Sequence, residues 1–139
     1  MKLSDQVEAA TGADRELDAA IGVAIGRFRA EPNKGWPDRL DYIELREGGV
    51  QCYPGNGFDQ LVPHYTASID AGLTLVPEGL EWEVCAYDAA RDPRFGRFQS
   101  RIKLLTYTQD PEELGPQSTM NAATPALALC AAALRARGL

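Results

Sequence analysis

The feature that most constrains this chain is an apolar run close to its C-terminus. Every side chain from Ala126 to Leu134 is apolar, so a helix over this run has no polar face. Thr124 is predicted to be the N-cap of that helix, and Pro125 to occupy its first position, where a missing N–H costs nothing. Such a helix must be enclosed on most sides. We expect either the rest of the chain or a second copy, in a homodimer, to enclose it.

Size and charge narrow the class of protein. The chain has 139 residues, of which 45% are hydrophobic and 24% charged, which predicts one globular domain over residues 1–139. Its net charge of -6 disfavours nucleic-acid binding, which normally requires a basic face. No segment reaches the roughly 20 apolar residues of a membrane span, and no signal-peptide core is present, so we expect a cytoplasmic protein. The three cysteines lie in separate predicted elements and are expected to be free thiols.

Local signals predict the order helix, hairpin, helix, hairpin, helix. Ser4 is expected to cap a short first turn, and Thr11 a helix that ends at Gly26. The second helix is predicted to begin at Thr66 and to end before Pro77. Helical spacing assigns inward stripes to these two helices: Leu17, Ala20, Ile21, Ala24 and Ile25 in the first, and Ile69, Leu73 and Val76 in the second.

Two hairpins are predicted between the helices. The first joins Tyr42–Arg46 to Val50–Tyr53 through a glycine-containing turn. The second joins two segments of strict alternation, residues 80–87 and 98–104, with Trp82 on the inward, apolar side. Antiparallel pairing of these segments would place acids opposite bases, namely Glu81 and Glu83 opposite Arg101 and Lys103. Residues 109–123 are predicted to be a long loop.

The predicted fold class is α+β, with three helices packed on a mostly antiparallel sheet of about four strands. Two arrangements of the helices remain open. The charged residues on the second hairpin favour a sheet with one open face. Three apolar helix stripes could equally supply two layers, as in an α/β/α sandwich.

Three segments of the chain resemble a family of small phage and prophage proteins. They are Glu8–Ile21 (EAATGADRELDAAI), Tyr65–Gly79 (YTASIDAGLTLVPEG) and Ala123–Leu134 (ATPALALCAAAL). The segments follow the family's order and are similar to the phage ABA-sandwich domain, named for its α/β/α layers. The resemblance implies a compact α/β protein encoded by a phage or prophage of bacteria. It carries over no catalytic or binding residue, and it favours helices on both faces of the sheet.

Catalytic and metal-binding patterns are weak. His64, Ser68 and Asp70 have the residue types of a hydrolytic triad, but Ser68 and Asp70 also suit the first turn of a helix. No metal site is predicted, because the single histidine and three cysteines lack ligand spacing and nothing in the spacing of the loop acids requires a cation. Those acids are Asp88, Asp92 and Asp110. Pro54–Gly57 lacks the lysine and helix of a phosphate-binding loop. No cofactor is expected.

Two candidate binding sites remain. A locally basic segment contributes Arg91, Arg94 and Arg97, followed by Arg101, and these arginines could hold a phosphate or another small anion. The alternative is that their charges offset the neighbouring glutamates. Trp36 lies in a segment rich in proline and glycine, where an exposed indole could anchor a protein partner.

These patterns favour a binding role over catalysis. We expect a phage or prophage accessory protein that binds a host or phage protein or a small anionic ligand. The alternative is a small hydrolase or transferase that acts on a nucleotide-like phosphate substrate and uses the four arginines to hold it. A third hypothesis, an acidic mimic of nucleic acid, fits less well because the acids alternate with bases.

Overall fold

The computed structural model describes residues 1–28, 42–46, 49–53, 62–86, 96–104 and 118–139. Within them lie four helices and five strands, so the prediction of an α+β protein is confirmed, although it had one helix too few. The prediction of one sheet of about four strands was wrong, because the described strands form one two-stranded and one three-stranded sheet. The chain divides into two compact units, and its description as one domain stays a prediction. Unit 1 comprises Met1–Ala13 and Tyr65–Leu139, and unit 2 comprises Asp14–His64.

Unit 1 contains a three-stranded antiparallel sheet in the order β3-β4-β5. Strand β3 is Leu80–Ala86, β4 is Phe98–Leu104 and β5 is Ser118–Ala122. The predicted pairing of the second hairpin is confirmed. Strand β5 falls inside the predicted long loop, so that prediction was wrong for residues 118–122.

The C-terminal helix α4, Pro125–Ala136, is enclosed as predicted. The Thr124 hydroxyl accepts a hydrogen bond from the Leu127 N–H, and Pro125 is in the first turn. All nine residues from Ala126 to Leu134 are buried within one chain. Helix α4 contacts all three strands of the sheet and two other helices, α1 and α3. A second copy is therefore not needed to cover it.

Helix α1, Leu3–Ala9, packs against α4. The prediction that Ser4 caps this helix is wrong, because Lys2 occupies the N-cap and no side chain caps it. The buried Ser4 hydroxyl instead donates to the Leu139 carbonyl at 2.6 Å. Arg135 of α4 forms an ion pair with Asp5, so polar contacts join the two helices at their ends.

Helix α3, Ile69–Leu73, is shorter than predicted and begins after Thr66. Ser68 is its N-cap and accepts a hydrogen bond from the Ala71 N–H at 3.3 Å. The predicted inward stripe was wrong, because Ile69 is exposed and the buried positions are Gly72 and Leu75. Helix α3 packs on α4. Gly72 permits this approach, since a Cβ there would lie 3.1 Å from Cys130 Sγ.

Unit 2 contains helix α2, Arg15–Ala24, and the hairpin of β1, Tyr42–Arg46, with β2, Gly49–Tyr53. The hairpin confirms the prediction. The helix is capped by Asp14, whose carboxylate accepts from the Glu16 and Leu17 N–H groups, and so the prediction of a Thr11 cap was wrong.

The inward side of α2 also differs from the predicted stripe. Ala20 and Ala24 are exposed, and the buried residues of α2 are Asp18, Ala19, Ile21 and Gly22. The buried Asp18 carboxylate pairs with Arg15 at 2.8 Å, and the same guanidinium donates to the Val62 carbonyl at 2.8 Å. A charged residue is therefore buried here because the arginine beside it neutralises its charge. Helical spacing of apolar residues could not reveal that arrangement.

We expect Gly22→Ala to destabilise unit 2. The chain reverses after α2 at Gly26, which has a φ of 77°, and Phe28 returns to lie over Gly22. An added Cβ would lie 2.7 Å from the Phe28 Cδ2 atom, and Phe28 is buried with Ala19 and Val62. The cost of overpacking, about 1–3 kcal/mol, should exceed the roughly 1 kcal/mol that alanine gains in a helix. Urea denaturation would measure the change.

Gly12→Ala is a control for adding a methyl group in open space, since nothing lies within 4 Å of a Cβ at Gly12. We expect this variant to be as stable as the native protein. A Gly22→Ala protein with unchanged stability would mean that Phe28 does not pack on α2.

Candidate functional site

The two described arginines of the predicted anion site make contacts inside unit 1. Arg97 donates to the Asn121 carbonyl at 2.9 Å and to the Glu8 carbonyl at 3.5 Å. Arg101 lies 3.5 Å from the Glu83 carboxylate and is half exposed. Arg91 and Arg94 lie outside the described residues. The hypothesis that all four hold one anion therefore stays a prediction.

Several of the other predicted site residues also lie outside the described part of the chain. Trp36, Pro54–Gly57 and the loop acids Asp88, Asp92 and Asp110 lie outside the described residues. Within the described part of the chain, no group of three or more histidine, cysteine or acidic side chains is placed to hold a metal ion. Cys85 is an exposed free thiol and Cys130 a buried one, and the Cys130 thiol donates to the Tyr65 carbonyl at 2.8 Å.

Ser68 has the structural role that its position suggested. Its hydroxyl caps α3, and Asp70 is exposed in the first turn of the same helix, where a negative charge interacts favourably with the helix dipole. His64 is exposed. The hydroxyl that a triad would need as its nucleophile already accepts a hydrogen bond from the backbone.

A surface cavity of about 310 Å³ opens where α3 and α4 begin. Described residues that line it include Thr66, Ala67, Ile69 and Pro125. The lining is mainly apolar, and no charged side chain is among its described members. A specific ligand site usually adds a few convergent polar groups to such a lining, and the Thr124 hydroxyl at its rim already accepts the capping bond of α4.

The sheet of unit 1 has one face against α4 and one polar face. Ser118 marks the first face, because its hydroxyl donates to the Ala132 carbonyl in α4. On the opposite face, Glu81 pairs with Lys103 and Glu83 with Arg101, each at 3.5 Å. This is the predicted cross-strand arrangement. Exposed pairs of this kind contribute about 1 kcal/mol or less.

Trp82 is the anomaly on the face against α4. The register places Trp82 opposite Ile102, and Ile102 opposite Ser118, in one row across the sheet. Ser118 is 8% exposed and Ile102 is fully buried, whereas Trp82 is 45% exposed. The prediction that Trp82 is a core residue was therefore wrong, although its face was correct. Tryptophan is enriched at protein interfaces, because it combines a large apolar surface with a polar N–H.

The hydrogen bonds of Asn121 show how the backbone groups of the sheet are directed. The Asn121 N–H donates to Glu8 Oε1 at 3.0 Å, and its carbonyl accepts from Arg97 at 2.9 Å. Both groups therefore point away from β4. In an antiparallel ladder, successive residues point alternately toward and away from the neighbouring strand. Ser118, Met120 and Ala122 consequently bond to β4.

The same alternation continues across β4 to β3. Because Phe98, Ser100 and Ile102 point toward β5, their neighbours Gln99, Arg101 and Lys103 must point toward β3. The residues paired with them, Glu81, Glu83 and Cys85, complete that ladder. The N–H and carbonyl groups of Trp82 and Val84 therefore point outward, away from the sheet.

The two outer strands differ in how their edges are covered. At β5, side chains of Glu8 and Arg97 occupy the outward groups of Asn121. At β3, no described residue bonds to the outward groups of Trp82 or Val84. We call these four backbone groups the open edge. Unpaired strand edges are commonly blocked in natural proteins because another strand can pair with them.

The open edge has the requirements for adding one strand. Trp82 and Val84 lie two positions apart, and each directs a backbone N–H and a carbonyl outward. This spacing matches the hydrogen-bonding repeat of an antiparallel partner strand. Trp82 provides an apolar contact directly beside them, as in complexes where backbone bonds give affinity and side chains give specificity. Sequence analysis missed this site, because alternation shows which face Trp82 is on but not that β3 is an outer strand.

Comparisons of the chain with protein-family models, curated proteins and solved structures found no match. Among the described residues, no helix has the length and apolar character needed to span a membrane. The geometry of unit 1 is therefore the basis of the functional inference.

Proposed function

We propose that this protein is a binding module that captures an extended segment of a partner protein along the open edge of β3. The observation that carries this proposal is the 45% exposure of Trp82 in a row whose other two members are buried. An added strand would cover the indole and pair the four outward backbone groups at the same time. A binding role of this kind requires no catalytic residue.

The contrast between the two outer strands supports β3 as the binding edge. At β5 the outward groups of Asn121 already have side-chain partners, which leaves Thr119 as its other interior outward position. At β3, Trp82 and Val84 are both free of described partners. Of the two outer strands of the described sheet, β3 therefore offers two consecutive outward residues for a new ladder and β5 does not.

A phage or prophage origin is part of the same proposal and is supported by the resemblance of three segments to the phage ABA-sandwich proteins. The α/β/α arrangement is not part of this proposal, because it would require a helical layer over the face on which Glu81 and Glu83 are exposed. Binding of a host or phage protein would then be the role of an accessory protein.

Val84→Pro tests the proposal at a residue whose side chain is only partly buried. Proline lacks the outward N–H, and edge strands tolerate proline where that group faces solvent. A displayed library of random heptapeptides would be selected on the native protein, and each binder measured by fluorescence anisotropy. We expect binders to lose at least about tenfold in affinity on Val84→Pro, because backbone bonds supply much of the affinity in strand addition.

Thr119→Pro provides the matched control, since Thr119 also directs its N–H outward, but from β5. We expect its binding to stay within about twofold of the native protein. Binders that weaken equally in both variants would contradict the assignment to β3. Failure to enrich any peptide that distinguishes the native protein from Val84→Pro would contradict the proposed function.

A further inference from the structure

The geometry points to the chemistry of the partner: we infer that the open edge selects an extended segment in which basic residues alternate with apolar ones. This inference rests on the proposed function and adds a charge preference to it. It arises from Glu81 and Glu83, which we call the acidic row. The row lies on the polar face of β3, on either side of Trp82 in sequence.

The acidic row has capacity for further cations. The side chains of Glu81 and Glu83 are 38% and 47% exposed, and each has one basic neighbour in β4 at 3.5 Å. A carboxylate has two oxygens and can accept several hydrogen bonds. A lysine or arginine from the outer side would place each glutamate between two cations, one from β4 and one from the added strand.

The alternation of the ladder brings an incoming strand close to this row. Trp82 and Val84 point outward, so they would form the hydrogen-bonded pairs with an added strand. Glu81 and Glu83 would then occupy the non-hydrogen-bonded positions, where opposing Cα atoms are only about 4.5 Å apart and side chains are closest. The partner residue between two bases would lie opposite Trp82 and on its face. This predicts a basic–apolar–basic pattern.

The same row disfavours the two registers in which a second copy of the chain would pair around Trp82 or Glu83. In a two-fold antiparallel pairing of β3 centred on Trp82, Glu81 would face Glu83 of the other copy. In a pairing centred on Glu83, that residue would face its own equivalent. Like charges directly opposite each other are destabilising, and the net charge of -6 adds repulsion between copies.

Three capped peptides provide the test. The first, Thr-Lys-Val-Lys-Val-Lys-Thr, has the predicted alternation. The second replaces each lysine with glutamate, and the third has the composition of the first in the order Lys-Lys-Lys-Val-Val-Thr-Thr. Calorimetric titration should show the first binding at least about tenfold more tightly than either of the others. The third peptide controls for general attraction of a basic peptide to an acidic protein.

The double variant Glu81→Gln with Glu83→Gln separates the charge preference from strand addition. We expect the ratio of affinities for the first and second peptides to fall to about one or below, because Arg101 and Lys103 remain. An unchanged ratio, or equal affinities on the native protein, would overturn the inference. If those peptides still weaken on Val84→Pro, the proposed function survives that result. If no peptide binds, or binding ignores Val84→Pro, the proposed function fails as well.

Discussion

Replacing either Leu127 or Leu129 with alanine should destabilise the protein by about 2–5 kcal/mol. Residues two apart in a helix are separated by about 200° around its axis, so these side chains point in nearly opposite directions. An amphipathic helix would bury one of them and expose the other. Both are fully buried in α4, so each truncation leaves a cavity. Urea denaturation followed by circular dichroism would measure both costs.

Ala136→Gly provides the comparison for the helix itself. Ala136 is the last residue of α4 and is partly exposed, so we expect a cost of about 1 kcal/mol or less. If either leucine variant costs no more than this control, that side of α4 is not enclosed as described.

Cys85→Pro should cost about 2–4 kcal/mol, although Cys85 is exposed and Val84 is partly buried. The Cys85 N–H points toward β4, where its ladder partner is Gln99. Proline removes this donor and leaves the carbonyl of the central strand without its bond. Side-chain burial alone would predict the larger loss of stability for proline at Val84. Thermal and urea unfolding would give the difference in stability.

Val84→Pro, one residue earlier, is the internal control. Its N–H points outward, so the β3–β4 ladder remains and we expect a loss below about 1 kcal/mol. Equal losses in the two proline variants would contradict the alternation deduced from Asn121. A larger loss in Val84→Pro would reverse the assignment of the edge.

Elements with strong local signals were predictable from the sequence. Thr124 followed by Pro125 specifies the start of α4 through capping chemistry, which depends on adjacent residues alone. The alternation in residues 80–86 and 98–104 determined both strands and the opposition of Glu81 to Lys103. These features depend on residues close in sequence or on one hairpin, and tertiary packing left them unchanged.

Strand β5 was missed because its alternation uses small and polar residues. Ser118, Met120 and Ala122 are buried, but a serine and an alanine give little hydrophobic signal. Burial of Ser118 is possible because its hydroxyl donates to the Ala132 carbonyl in α4. That acceptor lies in another element, so the pattern within β5 could not reveal it.

The candidate site depended on even longer-range information. The sequence placed Trp82 on the correct face of β3, but its exposure follows from the order of the three strands. The deduction that Trp82 and Val84 point outward needed the contact of Glu8 with Asn121, which are 113 positions apart. No periodicity within β3 contains that contact.

Unit 1 consists of two separate stretches of sequence, and this affects when α1 can dock during folding. The contacts of Ser4 with Leu139 and of Glu8 with Asn121 span 135 and 113 positions. Contacts between such distant residues form slowly, because a long loop must close before any bond compensates for its lost entropy. Helix α1 precedes β5 and α4 in the chain, yet both must form before it can dock. We therefore expect α1 to be among the last elements of unit 1 to dock.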